Sequence, residues 1–118
     1  MKLLEHEGKK LFQKYGIPVP RGEVLSAQST LLSLQPPLVL KAQVHAGERE
    51  KQGGIAFVAN GQELDEQKNK LFATAIEGER PAALLAEEKV EWERELYLSF
   101  SYDTDARAPV LALSRKGG

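Results

Sequence analysis

The sequence predicts an α+β or α/β fold, and α+β is the class carried forward. Two stretches carry apolar residues at helical spacing, and several short stretches are continuously apolar or alternate with period two. Glycine, proline and Asn-Gly punctuation separates them at intervals too short for long helices or a repeat array. Strands and helices mixed in this way favour sheet-and-helix layers over a bundle or a sandwich.

In chain order, Leu3 to Tyr15 reads as an amphipathic helix. Leu4, Leu11, Phe12 and Tyr15 fall near one face, with Glu5, Lys9, Lys10 and Lys14 mostly off it. Gly16 suits a C′ position, and Pro18 prevents continuation. Gly22 to Leu25 reads as a short strand. Ser26 reads as the N-cap of a brief helix to about Leu34, with Leu31, Leu32 and Leu34 inward. Pro36-Pro37 closes that element and launches a buried strand, Leu38 to Leu40, with Lys41 at its end. Ile55 to Val58 reads as another strand and Asn60-Gly61 as a turn. Glu63 to about Ile76 reads as a helix ended by Gly78, with Leu64, Leu71, Phe72 and Ala75 at helical spacing. Ala82 to Ala86 is a further strand. Glu95 to Asp103 alternates, with Leu96, Leu98, Phe100 and Tyr102 on one side, and Val110 to Leu113 pairs back on it. Two strands alone are not stable in water. Their apolar side is therefore expected against the helix around Leu11 and Phe12, or against a second copy of the chain.

The totals set bounds. With 118 residues, 42% hydrophobic and 28% charged, the chain suits one soluble domain. A net charge of -1 argues against a general nucleic-acid binder. The lack of cysteine excludes disulfides, thiolate metal sites and cysteine nucleophiles, and suits a reducing cytoplasm. No apolar run approaches the ~20 residues that span a bilayer. Glu5, His6 and Glu7 do not fit a signal peptide. The expectation is a cytoplasmic protein without nucleic-acid or membrane partners.

The stretch with most chemical content runs from Val39 to Gly54. Lys41 ends an apolar strand, so its root is pinned and its ammonium can be aimed at a phosphate. Arg49 and Lys51 come next, and Gly53-Gly54 allow a sharp turn and close approach of backbone to an anion. The same pattern also describes a basic, solvated loop between two strands, and it lacks the Gly-Lys-Ser/Thr ending of a Walker loop. Downstream, Glu87, Glu88, Glu91, Glu93 and Glu95 form an acidic segment around Trp92. It reads as a solvated hinge, or as carboxylates accepting hydrogen bonds from a purine amino group or ribose hydroxyls. Trp92 either anchors the hinge to the core or stacks on a base. His6 and His45 lack metal-ligand spacing and read as structural or surface residues. No catalytic residue and no metal ligand stands out.

Several blocks together resemble a known family. Leu4-Glu5-His6-Glu7-Gly8-Lys9-Lys10-Leu11-Phe12 with Tyr15-Gly16-Ile17-Pro18-Val19-Pro20, then Lys41-Ala42-Gln43-Val44-His45-Ala46-Gly47, then Arg94-Glu95-Leu96-Tyr97-Leu98, and Ser114-Arg115-Lys116-Gly117-Gly118, are similar in order to the succinyl-CoA synthetase β subunit. The resemblance, to ADP-forming acyl-CoA synthetases with an ATP-grasp domain, covers essentially the whole chain. It implies the N-terminal ATP-grasp subdomain plus the first hairpin of the second, with residues 20–90 as the nucleotide-binding lobe and 1–19 and 93–118 as the start of the second subdomain. It implies ATP or GTP with Mg2+ as ligand of the complete domain. Lys41 would contact phosphates. Glu48, Arg49 and Glu50 would lie along the nucleotide, Glu87 and Val90 at its ribose and base, and Glu95 at a further contact. The implied partners are the remaining β-subunit portion and the α subunit, which carries the phosphorylated histidine; a homodimer is the other expectation. The sequence departs from the family where Glu48 and Glu50 replace glycines, adding negative charge beside the phosphate loop. It also ends where that domain would be about half complete, before its metal-binding residues, which implies inactivity alone. The competing expectation is a stand-alone interaction or regulatory protein on half an ATP-grasp fold; a small nucleotide sensor is a third.

Overall fold

The computed structural model describes residues 2–29 and 33–117. Among these described residues, two helices and six strands succeed one another as α1 (Glu5–Lys14), β1 (Gly22–Leu25), β2 (Leu38–Ala42), β3 (Ile55–Val58), α2 (Gly61–Ala73), β4 (Leu84–Glu88), β5 (Tyr97–Asp103) and β6 (Ala108–Ser114). The first four strands form one antiparallel sheet in the order β1-β4-β2-β3, and β5 and β6 pair separately as a hairpin. The expected α+β class is therefore observed.

The sheet sorts its residues by the two-residue period of a strand. In β2, Leu38, Leu40 and Ala42 are buried, while Val39 and Lys41 point to the other face and are half-buried. In β4, Leu84 and Ala86 join the same core, with Leu85 and Glu87 opposite. α2 covers the first face with Leu71, supported by Leu64 and Phe72. Leu25, Val44, Val58 and Ile76 complete the cluster. β4 is central and therefore buried on both sides, which is why its sequence is apolar without alternation until Glu87.

Local chemistry explains the ends of the helices. α1 terminates in a Schellman motif: Ile17 N–H donates to the Phe12 carbonyl at 2.9 Å, Gly16 N–H donates to Gln13, and Gly16 takes the left-handed conformation at φ 76°. At its start, the Glu7 carboxylate accepts from the Leu4 N–H at 2.7 Å. α2 begins at Asn60, whose side-chain oxygen accepts from Gln62 and Glu63 N–H at 3.0 and 3.2 Å. Asn60-Gly61 is thus a helix cap and not the expected turn, because the asparagine side chain captures the free N–H groups of the first helical turn. α2 also ends earlier than expected, at Ala73. Gly78 instead serves the tight turn that bridges Ile76 to Glu79.

Other expectations also change. The helix from Ser26 does not form among the described residues up to Ser29. Ser26 and Ser29 close a turn through their side chains and backbone, and the Lys68 ammonium donates to the Ser29 carbonyl at 2.6 Å. Leu31 and Leu32 lie outside the described residues, while Leu34 packs against the core. The acidic segment starts later than the sequence suggested, since Glu87 and Glu88 belong to β4 and Glu87 is 2% exposed. Trp92 does not anchor that segment; it is 67% exposed.

The apolar side of the hairpin is not covered by α1. Leu98, Phe100 and Tyr102 oppose Leu113, Leu111 and Pro109 across the strands, and Phe100 is 77% exposed. Phe12 of α1 is itself 51% exposed. The hairpin projects from the sheet, and the radius of gyration, 15.8 Å, exceeds the about 13 Å expected of a globular domain this long. Its turn is closed by Asp103, whose carboxylate accepts from Asp105 and Ala106 N–H at 2.8 and 2.9 Å.

The Asn60 cap can be tested directly. Asn60→Ala should lower stability to urea by about 1 kcal/mol, whereas Asn60→Asp should keep most of it. Equal loss in both variants would show that the side-chain oxygen does not hold the helix start.

Candidate functional site

The sheet face turned away from α2 carries Val39 and Lys41 from β2, Leu85 and Glu87 from β4, and the loop after β2 brings Arg49 beside them. α1 lies over this face. Its charges, and not its apolar side, face the sheet.

Five side chains form one ionic cluster. The Glu5 carboxylate divides its two oxygens: Oε1 takes Lys41 Nζ at 3.0 Å and Lys9 Nζ at 2.9 Å, and Oε2 takes Arg49 Nη2 at 2.6 Å. Glu87, projecting from the centre of the sheet, holds Lys41 Nζ through Oε1 at 2.7 Å and Lys9 through Oε2. The second Arg49 nitrogen, Nη1, donates to the Ala42 carbonyl at 2.8 Å. Lys41 and Glu87 meet because β2 and β4 are neighbours in register, Val39 standing opposite Glu87 and Lys41 opposite Leu85. The two charged residues are therefore diagonal neighbours on one face.

A second contact fixes the helix start. Gln43 Oε1 accepts from the His6 backbone N–H at 3.0 Å and meets His6 Nδ1 at 2.9 Å, while Gln43 Nε2 donates to the Lys41 carbonyl at 3.2 Å. An amide oxygen only accepts, so the His6 proton is carried on Nδ1. This accords with the structural reading of His6.

Arg49 is placed by the folding of its own loop. Its carbonyl accepts from Gly54 N–H at 2.7 Å and Gln52 N–H at 3.2 Å, closing the turn that Gly53 permits at φ 76°. Gly54 is buried there. A Cβ on it would stand 2.5 Å from Ile76 Cδ1 and 3.0 Å from the Arg49 carbonyl oxygen. The glycine pair thus brings the loop back onto the sheet and the segment after α2, and holds Arg49 inward.

Of the residues expected at the site, Lys41, Arg49 and Glu87 come together. Glu48 and Glu50 do not join them. Glu48 is exposed, sits at φ 49° and pairs with Lys51 at 2.6 Å, and Glu50 is exposed. Val90 and Glu95 lie beyond β4 with exposed side chains; the Glu95 side chain sits against Gly117, where no Cβ would fit. Residues that sequence reasoning passed over are Glu5, Lys9 and Gln43. The available signal was the Glu5-Lys9 pair, four apart on the helix. A cleft of about 340 Å³ opens beside the cluster, between the start of α1 and the residues after β2, bounded by Lys2, Glu5, Val44, His45 and Arg49.

Electrostatics follow the geometry. Burial alone would raise the Glu5 pKa; hydrogen bonds from Lys9 and Arg49 and the charge of Lys41 outweigh it and hold the carboxyl at about 2. Burial likewise pulls Lys41 down, but the Glu87 hydrogen bond and the Glu5 charge raise it above its ordinary value. Lys41 therefore stays protonated. Because the Glu5 pKa is lower folded than unfolded, its stabilisation is complete above about pH 4.5 and lost as pH falls towards 2. Melting curves of the wild type and Glu5→Gln should accordingly differ near neutrality and converge over that window. A constant gap down to pH 2 would show that the carboxylate charge is not what stabilises the cluster.

Comparison with known proteins agrees with this architecture. Residues 2–118 match the ATP-grasp domain family. Over the whole chain the sequence is 42% identical to the succinate–CoA ligase [ADP-forming] subunit beta of Methanocaldococcus jannaschii, and 37% and 38% identical to those of Staphylothermus marinus and Syntrophobacter fumaroxidans. These alignments take in 33%, 32% and 34% of the relatives, so the chain spans about a third of their length. On the match across nearly all its residues, the chain belongs to the ATP-grasp domain family.

Proposed function

We propose that this chain supplies the nucleotide-facing lobe of a ligase of the succinate–CoA ligase β-subunit kind. The supporting observation is the convergence of Lys41 and Arg49 on one carboxylate at the sheet face under α1. Two cations that can share a carboxylate can share phosphate oxygens, Arg49 through its planar fork and Lys41 as a point charge. Glu87 holds the Lys41 ammonium from the sheet side, and Gln43 fixes the end of β2 below it. The ligand of this lobe would be the polyphosphate of ATP or GTP.

In the complete enzyme we expect the remaining part of the β subunit and an α subunit as partners, and a carboxylic acid joined to CoA as the reaction. Among the described residues no three His, Cys, Asp or Glu side chains gather to hold a metal ion. Both carboxylates of the cluster are committed to cations. The residues present thus do not fit magnesium, and their work is confined to binding and orienting phosphate. No described helix is long and apolar enough to cross a membrane.

A second reading, an interaction protein that has lost nucleotide binding, draws support from the neutralised cations and the exposed apolar hairpin side. Calorimetric titration with Mg-ATP separates the two. The nucleotide reading expects weak binding that Lys41→Ala lowers about tenfold or more, since a charged hydrogen bond is lost. Binding insensitive to Lys41→Ala, or none at any concentration, favours the interaction reading. Replacing Glu48 and Glu50 together by glycine should change affinity by less than roughly threefold, because exposed charges are weakly coupled. These 118 residues alone should form no ADP from ATP, CoA and succinate; turnover free of contaminating enzyme would sink that expectation.

A further inference from the structure

We propose that Glu5 is a built-in competitor for the anion site, and that α1 is a latch which an incoming polyphosphate releases. This rests on the nucleotide reading above and adds a control element to the same site.

Three observations carry it. First, the Glu5 carboxylate occupies the position between Lys41 and Arg49 that an oxyanion would take, with one oxygen towards each cation. Second, α1 has no buried residue. The contacts that hold it to the sheet are polar: Glu5 to Lys41 and Arg49, Lys9 to Glu87, and His6 to Gln43. Its larger apolar side chains, Leu11, Phe12 and Tyr15, face outward. A helix held by charge, without an apolar seal, can be displaced by a competing anion. Third, the cleft bounded by Glu5, Val44, His45 and Arg49 opens directly beside the shared cations, so an anion can reach Arg49 before Glu5 has left.

The pairing within the cluster favours the exchange. Glu5 and Glu87 carry two negative charges against three positive ones on Lys9, Lys41 and Arg49. With Glu5 in place, Arg49 is paired and the five groups sum to +1; release of α1 takes Lys9 away with Glu5, so that sum is unchanged and what changes is the pairing. When Glu5 swings out, Arg49 is freed, and Lys41 keeps a single carboxylate, Glu87. A polyphosphate, with several negative charges, outcompetes one carboxylate for that position. Glu87 cannot leave in the same way because it is rooted in the central strand. The geometry thus assigns the two carboxylates different parts: Glu87 positions Lys41, and Glu5 gates access to it.

The test uses inorganic tripolyphosphate on the 118-residue chain, with Glu5→Gln and Glu5→Gln combined with Lys41→Ala. Glu5→Gln should bind tripolyphosphate about tenfold tighter than the wild type, the effect of removing one opposing charge, and the added Lys41→Ala should cancel the gain. In the wild type, saturating tripolyphosphate should speed hydrogen exchange of the α1 amides and slow it at the end of β2. That readout decides the matter even if Glu5→Gln proves poorly folded. Equal or weaker binding by a folded Glu5→Gln overturns the latch; if the wild type still binds Mg-ATP through Lys41, the nucleotide reading stands without it. Unchanged α1 exchange at saturation overturns it as well. If neither chain binds tripolyphosphate or Mg-ATP, both the nucleotide reading and the latch fall.

Discussion

The Glu5 carboxylate is the interaction on which the charged face of the sheet depends. Lys41, near the end of β2, and Arg49, in the loop after it, are half-buried cations beside a sheet whose other side is packed core. Cations in that position need compensating charge, because partial burial weakens their hydration without removing it. Glu87 compensates Lys41 from the sheet, but Arg49 has its ion pair in Glu5. One carboxylate on α1 therefore does three things. It pairs with two cations, holds a helix that buries no residue, and ties down the side chain of Arg49.

Core and site are built from the same strands. Along β2, Leu40 is packed against α2 and Lys41, the next residue, faces the charge cluster. Along β4, Ala86 and Glu87 divide in the same way. A slip of one residue would put a lysine and a glutamate into the apolar core and leucines into the ionic cluster, so burial of Leu38, Leu40 and Ala42 enforces the register that aligns Lys41 with Glu87. The site's geometry is thus a by-product of the hydrophobic pattern, and its precision comes from the rigidity of the sheet. The loop around Arg49 lacks such support and depends on the close approach at Gly54.

Much of the fold was legible in the sequence, and the reasons are local. β1 and β3 fell where apolar character and flanking punctuation placed them, as did the end of α1 at Gly16. Asn60-Gly61 is ambiguous in sequence because the pair serves both hairpin turns and helix caps. The residues after it decide, and Glu63 and Leu64 continue as a helix. At α1, the apolar stripe was visible but its direction was not. Amphipathicity says that two faces differ; which one meets the sheet depends on the charges opposite. Those charges lie 36, 44 and 78 residues away in Lys41–Glu5, Arg49–Glu5 and Lys9–Glu87. No periodicity within one segment encodes such pairs. Lys41, Arg49 and Glu87 could be singled out by residue type and resemblance, whereas Glu5 and Gln43 gained meaning only from the fold.

Two sources of negative charge stand near the same cations, and their environments decide which one matters. Glu48 and Glu50 attract notice in the sequence because they add two negative charges beside Arg49. Glu48, however, is exposed and already paired with Lys51, where water screens it at a dielectric constant near about 80. Glu5 is four-fifths covered at its side chain and touches Lys41 and Arg49 directly. At an effective dielectric of about 20, a unit-charge pair at the same separation is roughly fourfold stronger than in bulk water. Salt widens the difference, since exposed charges are screened over about 8 Å at physiological ionic strength and partly buried ones much less. The acidic loop therefore shapes the field around the cleft only weakly. Access to Lys41 and Arg49 is governed by a carboxylate that lies far before that loop in sequence and in direct contact with the cations in space.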